Sequence, residues 1–143
     1  MGRIETTAAL RKLIGSPSEL VPYKIHRELN PRAIEFIGKS PMLMLSTAGA
    51  DGHATVSPKG DPAGFVHVKD SRTLLIPERK GNKLIFTLQN ILANPKVGLI
   101  FLVPGTCETL RVQGTAIAGS GGMAPEAAQE FDRGVRDRYK TDL

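Results

Sequence analysis

Three times in succession this chain sets two short strand-like runs on either side of a turn signal. "MLMLST" and "HATVS" flank Ala50-Asp51-Gly52. "GFVHV" and "RTLLI" flank Lys69-Asp70-Ser71. "KVGLIFLV" and "ETLRVQGTAIA" flank Pro104-Gly105-Thr106. Each unit reads as a β-hairpin. Consecutive hairpins pair neighbouring strands antiparallel, so they favour an antiparallel sheet or small barrel over a parallel α/β fold. Between the second and third hairpins, Leu84, Ile85, Leu88, Ile91 and Leu92 recur at helical spacing, and Asn94-Pro95 ends that segment.

The lead into the first hairpin is helical in texture. From Thr6 to Ile14, Leu10, Leu13 and Ile14 share one face, and Gly15 supplies a stop. Residues 15–22 read as a loop. "NPRAIEFIGKS" offers Asn30 as N-cap and Pro31 at the first helical position, with Ile34 and Ile37 inward and Gly38 and Pro41 closing it. The expected order is two short helices, four strands in two hairpins, a helix and a last hairpin. At 143 residues and 41% hydrophobic content this is one domain with a real core. With one cysteine, Cys107, no intramolecular disulfide forms and no thiolate metal site is expected. The N-terminus MGRIETTAALRKLIG is too charged for a secretory signal, and no apolar run nears the roughly 20 residues of a membrane span, so a soluble cytoplasmic protein is expected.

Three segments carry polar groups in chemically useful patterns. In "IPERKGNKLIF", Arg79, Lys80 and Lys83 crowd the start of an expected helix, where the backbone dipole disfavours cations by roughly a few tenths of a kcal/mol each. Either these side chains are a solvated turn or an anion sits among them. With flexible Gly81, Asn82 as a candidate N-cap and free helix N–H groups, the stretch suits a phosphate. It is neither a P-loop nor a dinucleotide fingerprint. "VSPKGDPAGF" reads as a rigid exposed loop after a strand, with Ser57 and Lys59 able to bond a ligand or only to build a turn. In "PGTCETLRVQG", Thr109, Arg111 and Gln113 alternate with Leu110 and Val112, so one strand face is polar, whether solvated or ligand-facing. His26, His53 and His67 lack metal-ligand spacing, and Cys107 has no evident base partner. An enzyme without its own catalytic groups commonly borrows them from a cofactor.

These segments occur in the same order in a known family. "SPMLMLSTAGADG", "VSPKGDPAGFVHV", "TLLIPERKGNK", "NILANPKVGLIFLVPG" and "ETLRVQGTA" together resemble the pyridoxamine 5′-phosphate oxidase-like, FMN-binding split-barrel flavoproteins, over about Ile34 to Ile117. The resemblance implies a mainly β (α+β) fold, an antiparallel split β-barrel of about six strands with flanking short helices. It implies a homodimer with FMN at the interface and residues drawn from both subunits. Arg79, Lys80 and Lys83, with Asn82, would hold the FMN phosphate. Ser57 and Lys59 would run beside the isoalloxazine and ribityl chain. Thr109 stands where the oxidases proper commonly carry Gln, and Arg111 on the same strand would face the cofactor. The function implied is an FMN-dependent oxidoreductase of unknown substrate. The Thr109 departure, and the lack of a match for the family's C-terminal substrate-binding Arg and His, mean that pyridoxal phosphate synthesis is not expected.

Residues 1–119 are expected as the FMN-binding domain, with a helical lead over 1–40 and the barrel over 41–119. Related chains continue with further strands, whereas here residues 120–143 are Gly-rich, then charged. That tail is expected to be helical or disordered, and a truncated barrel is one explanation of the change at Gly119. A deazaflavin- or haem-binding split barrel is the alternative in the same cleft. A non-catalytic nucleic-acid-binding barrel would use the net charge of +5, but only 5% of the chain is aromatic and there is no Trp to stack on bases. No metal and no membrane partner are expected.

Overall fold

The computed structural model describes residues 2–79 and 83–119. Its elements are α1 (Thr7–Ile14), a 3-10 turn (Pro22–Lys24), α2 (Pro31–Lys39), β1 (Met42–Ala48), β2 (Ala54–Gly60), β3 (His67–Asp70), β4 (Thr73–Leu75), α3 (Phe86–Ala93), β5 (Lys96–Leu102) and β6 (Thr109–Thr115). The strands form two antiparallel sheets. One has four strands in the order β2-β1-β5-β6, and the other is the β3-β4 hairpin. All three expected hairpins are present, and β1 and β5 pair through Met42↔Leu102 to Ser46↔Gly98.

Local chemistry explains the helix ends. Thr6 Oγ1 accepts from the N–H of Ala9 at 3.1 Å, and Asn30 Oδ1 accepts from the N–H of Ala33 at 2.8 Å, each satisfying a donor that the first turn leaves free. Pro31 occupies the first helical position of α2, where its missing N–H costs nothing. Two details differ from the sequence expectation. Helix α2 continues through Gly38 to Lys39, and Ile34 is 37% exposed while Ile37 is fully buried. The 3-10 turn falls just after the expected loop.

Alternation gives the four-stranded sheet two distinct faces. On the inner face Leu43, Leu45 and Thr47 of β1 stand opposite Lys59, Ser57 and Thr55 of β2. Phe101 and Leu99 of β5 continue that face toward Leu110 and Val112 of β6. Phe65 and Val66, with Ile37 of α2, complete the buried core, and Val68 and Leu74 of the second sheet pack against it. The small sheet therefore covers the inner face of the large one, which is the split-barrel arrangement. The hydroxyl of Ser40, 1% exposed, bonds to the carbonyls of Met42 at 2.7 Å and Leu102 at 2.6 Å and ties the end of α2 to the sheet. Gly64 sits at φ +85° with the carbonyl of Gly38 3.3 Å from where a Cβ would stand, so this turn favours glycine for both conformation and space.

The outer face carries Met42 and Met44 of β1, Ile100 and Leu102 of β5, Val56 and Pro58 of β2, and Thr109, Arg111 and Gln113 of β6. Met42 and Val56 are 40% and 66% exposed there. No helix among the described residues is long and apolar enough to cross a membrane.

Candidate functional site

Edge strand β2 positions the first half of the site. "VSPKG", expected as a loop, is strand: Ser57, Pro58 and Lys59 pair with Leu45, Met44 and Leu43. Proline is tolerated there because β2 has a neighbour on one side only. The strand's period of two then directs Thr55, Ser57 and Lys59 inward, beside the core. Apolar burial of a lysine stem leaves its ammonium at the edge, where a polar partner is needed. Lys59 finds it in Glu78, donating from Nζ to both carboxylate oxygens at 2.7 and 2.6 Å.

The segment from Pro77 to Leu88 supplies the second half. Together with Thr55–Asp61 and Phe65 it encloses a cleft of about 920 Å³, a size suited to a cofactor. Ser57, Lys59, Arg79 and Lys83 all line it. Arg79 donates from Nε and Nη2 to Asp61 Oδ2 at 3.0 and 2.6 Å, and the Asp61 side chain is 8% exposed. Lys83 is exposed and forms no ion pair among the described residues. Leu84, Ile85 and Phe86 form an apolar wall whose residues are each more than half exposed.

Helix α3 begins later than the sequence implied. Its first residue is Phe86 and its N-cap position is Ile85, so Leu84 and Ile85 precede the helix, and no side chain caps it. Lys83 and Ile85 have φ of 62° and 51°. Left-handed backbone is costly for a β-branched residue, so the turn is locally strained. The orphan N–H groups of the first turn and the strained approach both lie at the cleft, where Phe86, Thr87 and Leu88 are part of its lining. Lys80 and Asn82, expected in the phosphate segment, lie outside the described residues, as does the tail from residue 120.

Asn90 fixes the helix on the sheet. Its Nδ2 donates to Thr47 Oγ1 and Thr55 Oγ1, both at 3.1 Å, and those two hydroxyls lie 3.0 Å apart. A Cβ on Gly49 would stand 3.3 Å from Asn90 Oδ1, so the adjoining turn is also close-fitting.

Thr109 and Arg111 are not brought to this cleft. They project from the outer face of β6, whereas Ser57 and Lys59 belong to the inner face of β2 at the opposite edge of the sheet. The sequence reading missed Asp61 and Glu78. In sequence each lies within two residues of a cation of the site, in "PKGD" and "PERK", although the cation it pairs with is the distant one. It also missed Asn90, whose partners lie 43 and 35 residues away. No group of three His, Cys, Asp or Glu suited to a metal occurs among the described residues. His53 lies at the exposed first hairpin, its Nδ1 2.9 Å from Asp51 Oδ2, and the His53 backbone N–H holds the Asp51 carboxyl below its ordinary value.

Comparison with known proteins agrees with this architecture. Crystal structures of Group A Streptococcus HupZ superpose with a TM-score of 0.59, at 24% identity over 74% of this chain and 78% of that one. A histidine-to-alanine variant of the same protein gives 0.58, with 83% of that chain covered. At this identity the likeness is one of fold. No curated protein sequence matches the chain. The pyridoxamine 5′-phosphate oxidase family profile matches residues 29–138, which takes in both sheets, α2, α3 and the whole cleft. The chain therefore belongs to the pyridoxamine 5′-phosphate oxidase family.

Proposed function

We propose that this protein is an FMN-binding flavoprotein and acts as an oxidoreductase. One observation carries the reading: Ser57, Lys59, Arg79 and Lys83, from two separate segments, line a single cleft at the uncapped start of α3 in a chain of this family. The described cleft residues include three cations against two carboxylates, Asp61 and Glu78. That balance, with the α3 N–H groups, favours an anion. Arg79 and Lys83, with Lys80 and Asn82 beside them in sequence, would hold the FMN phosphate. Ser57 and Lys59 would bond the polar part of the flavin, and the wall of Leu84, Ile85 and Phe86 would exclude water from it. Bound flavin supplies two-electron hydride chemistry that the protein's own side chains lack.

The residues themselves do three things in this reading. Asp61 orients the Arg79 fork while leaving Nη1 outside the Asp61 pair. Glu78 holds the Lys59 ammonium at the rim. Asn90 keeps the start of α3 aimed at the cleft. Thr109 and Arg111 take part only if a second copy presents its outer sheet face to the cleft, so the working unit is a homodimer. Which substrate is reduced or oxidised is left to the residues that such a partner adds.

The test is an absorbance spectrum and cofactor extraction on freshly purified protein, repeated on Arg79→Ala/Lys83→Ala. Flavin bands in the parent and their loss in a folded double variant are expected. A Soret band would replace FMN by haem in this reading. A colourless protein that FMN does not reconstitute would overturn it.

A further inference from the structure

The hydrogen-bonded triangle of Thr47, Thr55 and Asn90 does more than seat α3. Thr47 and Thr55 are cross-strand partners on the inner face of β1 and β2. Asn90 Nδ2 lies 3.1 Å from each hydroxyl oxygen, and the two hydroxyls lie 3.0 Å apart. Three atoms thus make three contacts, and each contact needs a proton.

Counting protons fixes their direction. The amide nitrogen serves both hydroxyl oxygens, and one hydroxyl donates to the other. An amide turned the other way would leave two hydroxyl protons to serve three contacts, so one pair of oxygens would meet with no proton between them. With the nitrogen facing the hydroxyls, all three contacts are bonded and one hydroxyl proton is left over. That proton belongs either to Thr47 or to Thr55. Thr47 is 2% exposed, and its hydroxyl makes no other bond among the described residues. A buried donor left unpaired costs its full desolvation. Thr55 is half-buried and, of the three residues, is the one that lines the cleft. Thr47 therefore donates to Thr55, and the spare proton is that of Thr55.

This sets what Thr55 can do for a ligand. Its oxygen accepts from Asn90 and from Thr47, which fills both lone pairs. Toward the cleft it is left with one function, that of donor. Two bonds received by the oxygen polarise its own O–H and strengthen the bond that it gives. We propose that Thr55 is a specificity-determining residue of the cleft, whose hydroxyl donates to an unprotonated ring nitrogen or carbonyl oxygen of the bound flavin and turns away a ligand that brings an N–H or O–H to that point. The inference rests on the flavin reading above and adds a contact which that reading does not include. A ligand donor placed there would find no free lone pair, and a buried polar group without a partner is what makes such discrimination sharp.

Thr55→Val, Thr55→Ser and Thr47→Val test this on the full chain, by fluorescence titration of FMN and by thermal melting of the apoprotein. Thr55→Val keeps the shape and loses the hydroxyl, so FMN affinity should fall about tenfold, while Thr55→Ser stays within about threefold of the parent. Thr47→Val leaves the Thr55 proton in place and should also stay within about threefold. Melting reads the proton direction with no ligand present. Thr55→Val strands the Thr47 proton in the core, so it should melt below Thr47→Val. FMN bound equally by the parent and a folded Thr55→Val overturns this inference alone. So does a Thr47→Val that loses as much affinity as Thr55→Val or melts below it, because the spare proton is then that of Thr47. A parent that FMN does not bind overturns this inference together with the flavin reading.

Discussion

Lys59 and Glu78 meet across the mouth of the cleft, the ammonium donating to both carboxylate oxygens at 2.7 and 2.6 Å. The lysine side chain is 12% exposed and the glutamate 42%. The pairing partly neutralises a cation that the sequence alone offered as free to bond a ligand. Arg79 and Asp61 repeat the device with the exposures reversed, the acid at 8% and the arginine at 51%. An incoming anion therefore competes with a carboxylate already in place, and the two acids set how much positive charge the cleft presents.

Removing that competition should tighten anion binding. Glu78→Gln keeps the shape and takes away one negative charge. A gain of about 1 kcal/mol corresponds to roughly fivefold in affinity. Titration of FMN fluorescence against apoprotein reads it directly, and weaker binding in the variant would mean that Glu78 itself bonds the ligand.

The Asn90 node should matter to stability. Asn90→Ala removes two bonds to Thr47 and Thr55, while those hydroxyls keep each other at 3.0 Å. The expected cost is about 1–2 kcal/mol, seen as a fall of about 3–8 °C in Tm for a domain of this size. An unchanged melting temperature would show that α3 is held by its apolar contacts alone.

Ile85 offers a change in the opposite direction. Its φ of 51° disfavours a β-branched residue, by about 1–2 kcal/mol relative to right-handed backbone. Ile85→Gly relieves this and gives up a side chain that is more than half exposed, so stability should stay level or rise by under about 1 kcal/mol. Cofactor retention should fall, because the apolar wall loses a member. Urea unfolding and flavin content on the same preparation separate the two effects.

The β3-β4 turn should contribute to the acid limb. The Arg72 N–H, donating to Asp70 Oδ1 at 2.8 Å, and then the Thr73 hydroxyl hold this carboxyl below its ordinary 3.8. A carboxylate with a depressed pKa in the fold stabilises it above the unfolded pKa, and that contribution is lost as pH falls through the lower, folded value. The parent's urea midpoint should therefore drop more steeply below about pH 4 than that of Asp70→Asn. Parallel curves from pH 5 to 2 would remove Asp70 from the account.

Much of the fold was legible because its signals are local. Thr6 and Gly15 bracket α1, Asn30 and Pro31 start α2, and the first and third turns sit between the strands they join, while the second falls at Ser71-Arg72 because Lys69 and Asp70 belong to β3. The errors have local causes too. Pro58 and two glycines made "VSPKG" look like a loop, but an edge strand tolerates proline. Asn82 looked like the N-cap of α3, yet helical geometry begins at Phe86 after two left-handed residues.

The site divides along the same line. Residue type alone marked the basic segment as a place where an anion could be held and the Ser57/Lys59 segment as one able to bond a ligand. Their meeting in one cleft needed the β3-β4 hairpin to bring residue 79 back beside β2. The pairing of Lys59 with Glu78 and of Arg79 with Asp61, 19 and 18 residues apart, needed the same return. Strand register, a property of paired chains, put Thr109 and Arg111 on the face opposite Ser57 and Lys59. Sequence by itself determined the elements, since caps, turns and periodicity act within a few residues. Only the tertiary structure decided which charges meet and which face each side chain serves, because those depend on neighbours distant in sequence.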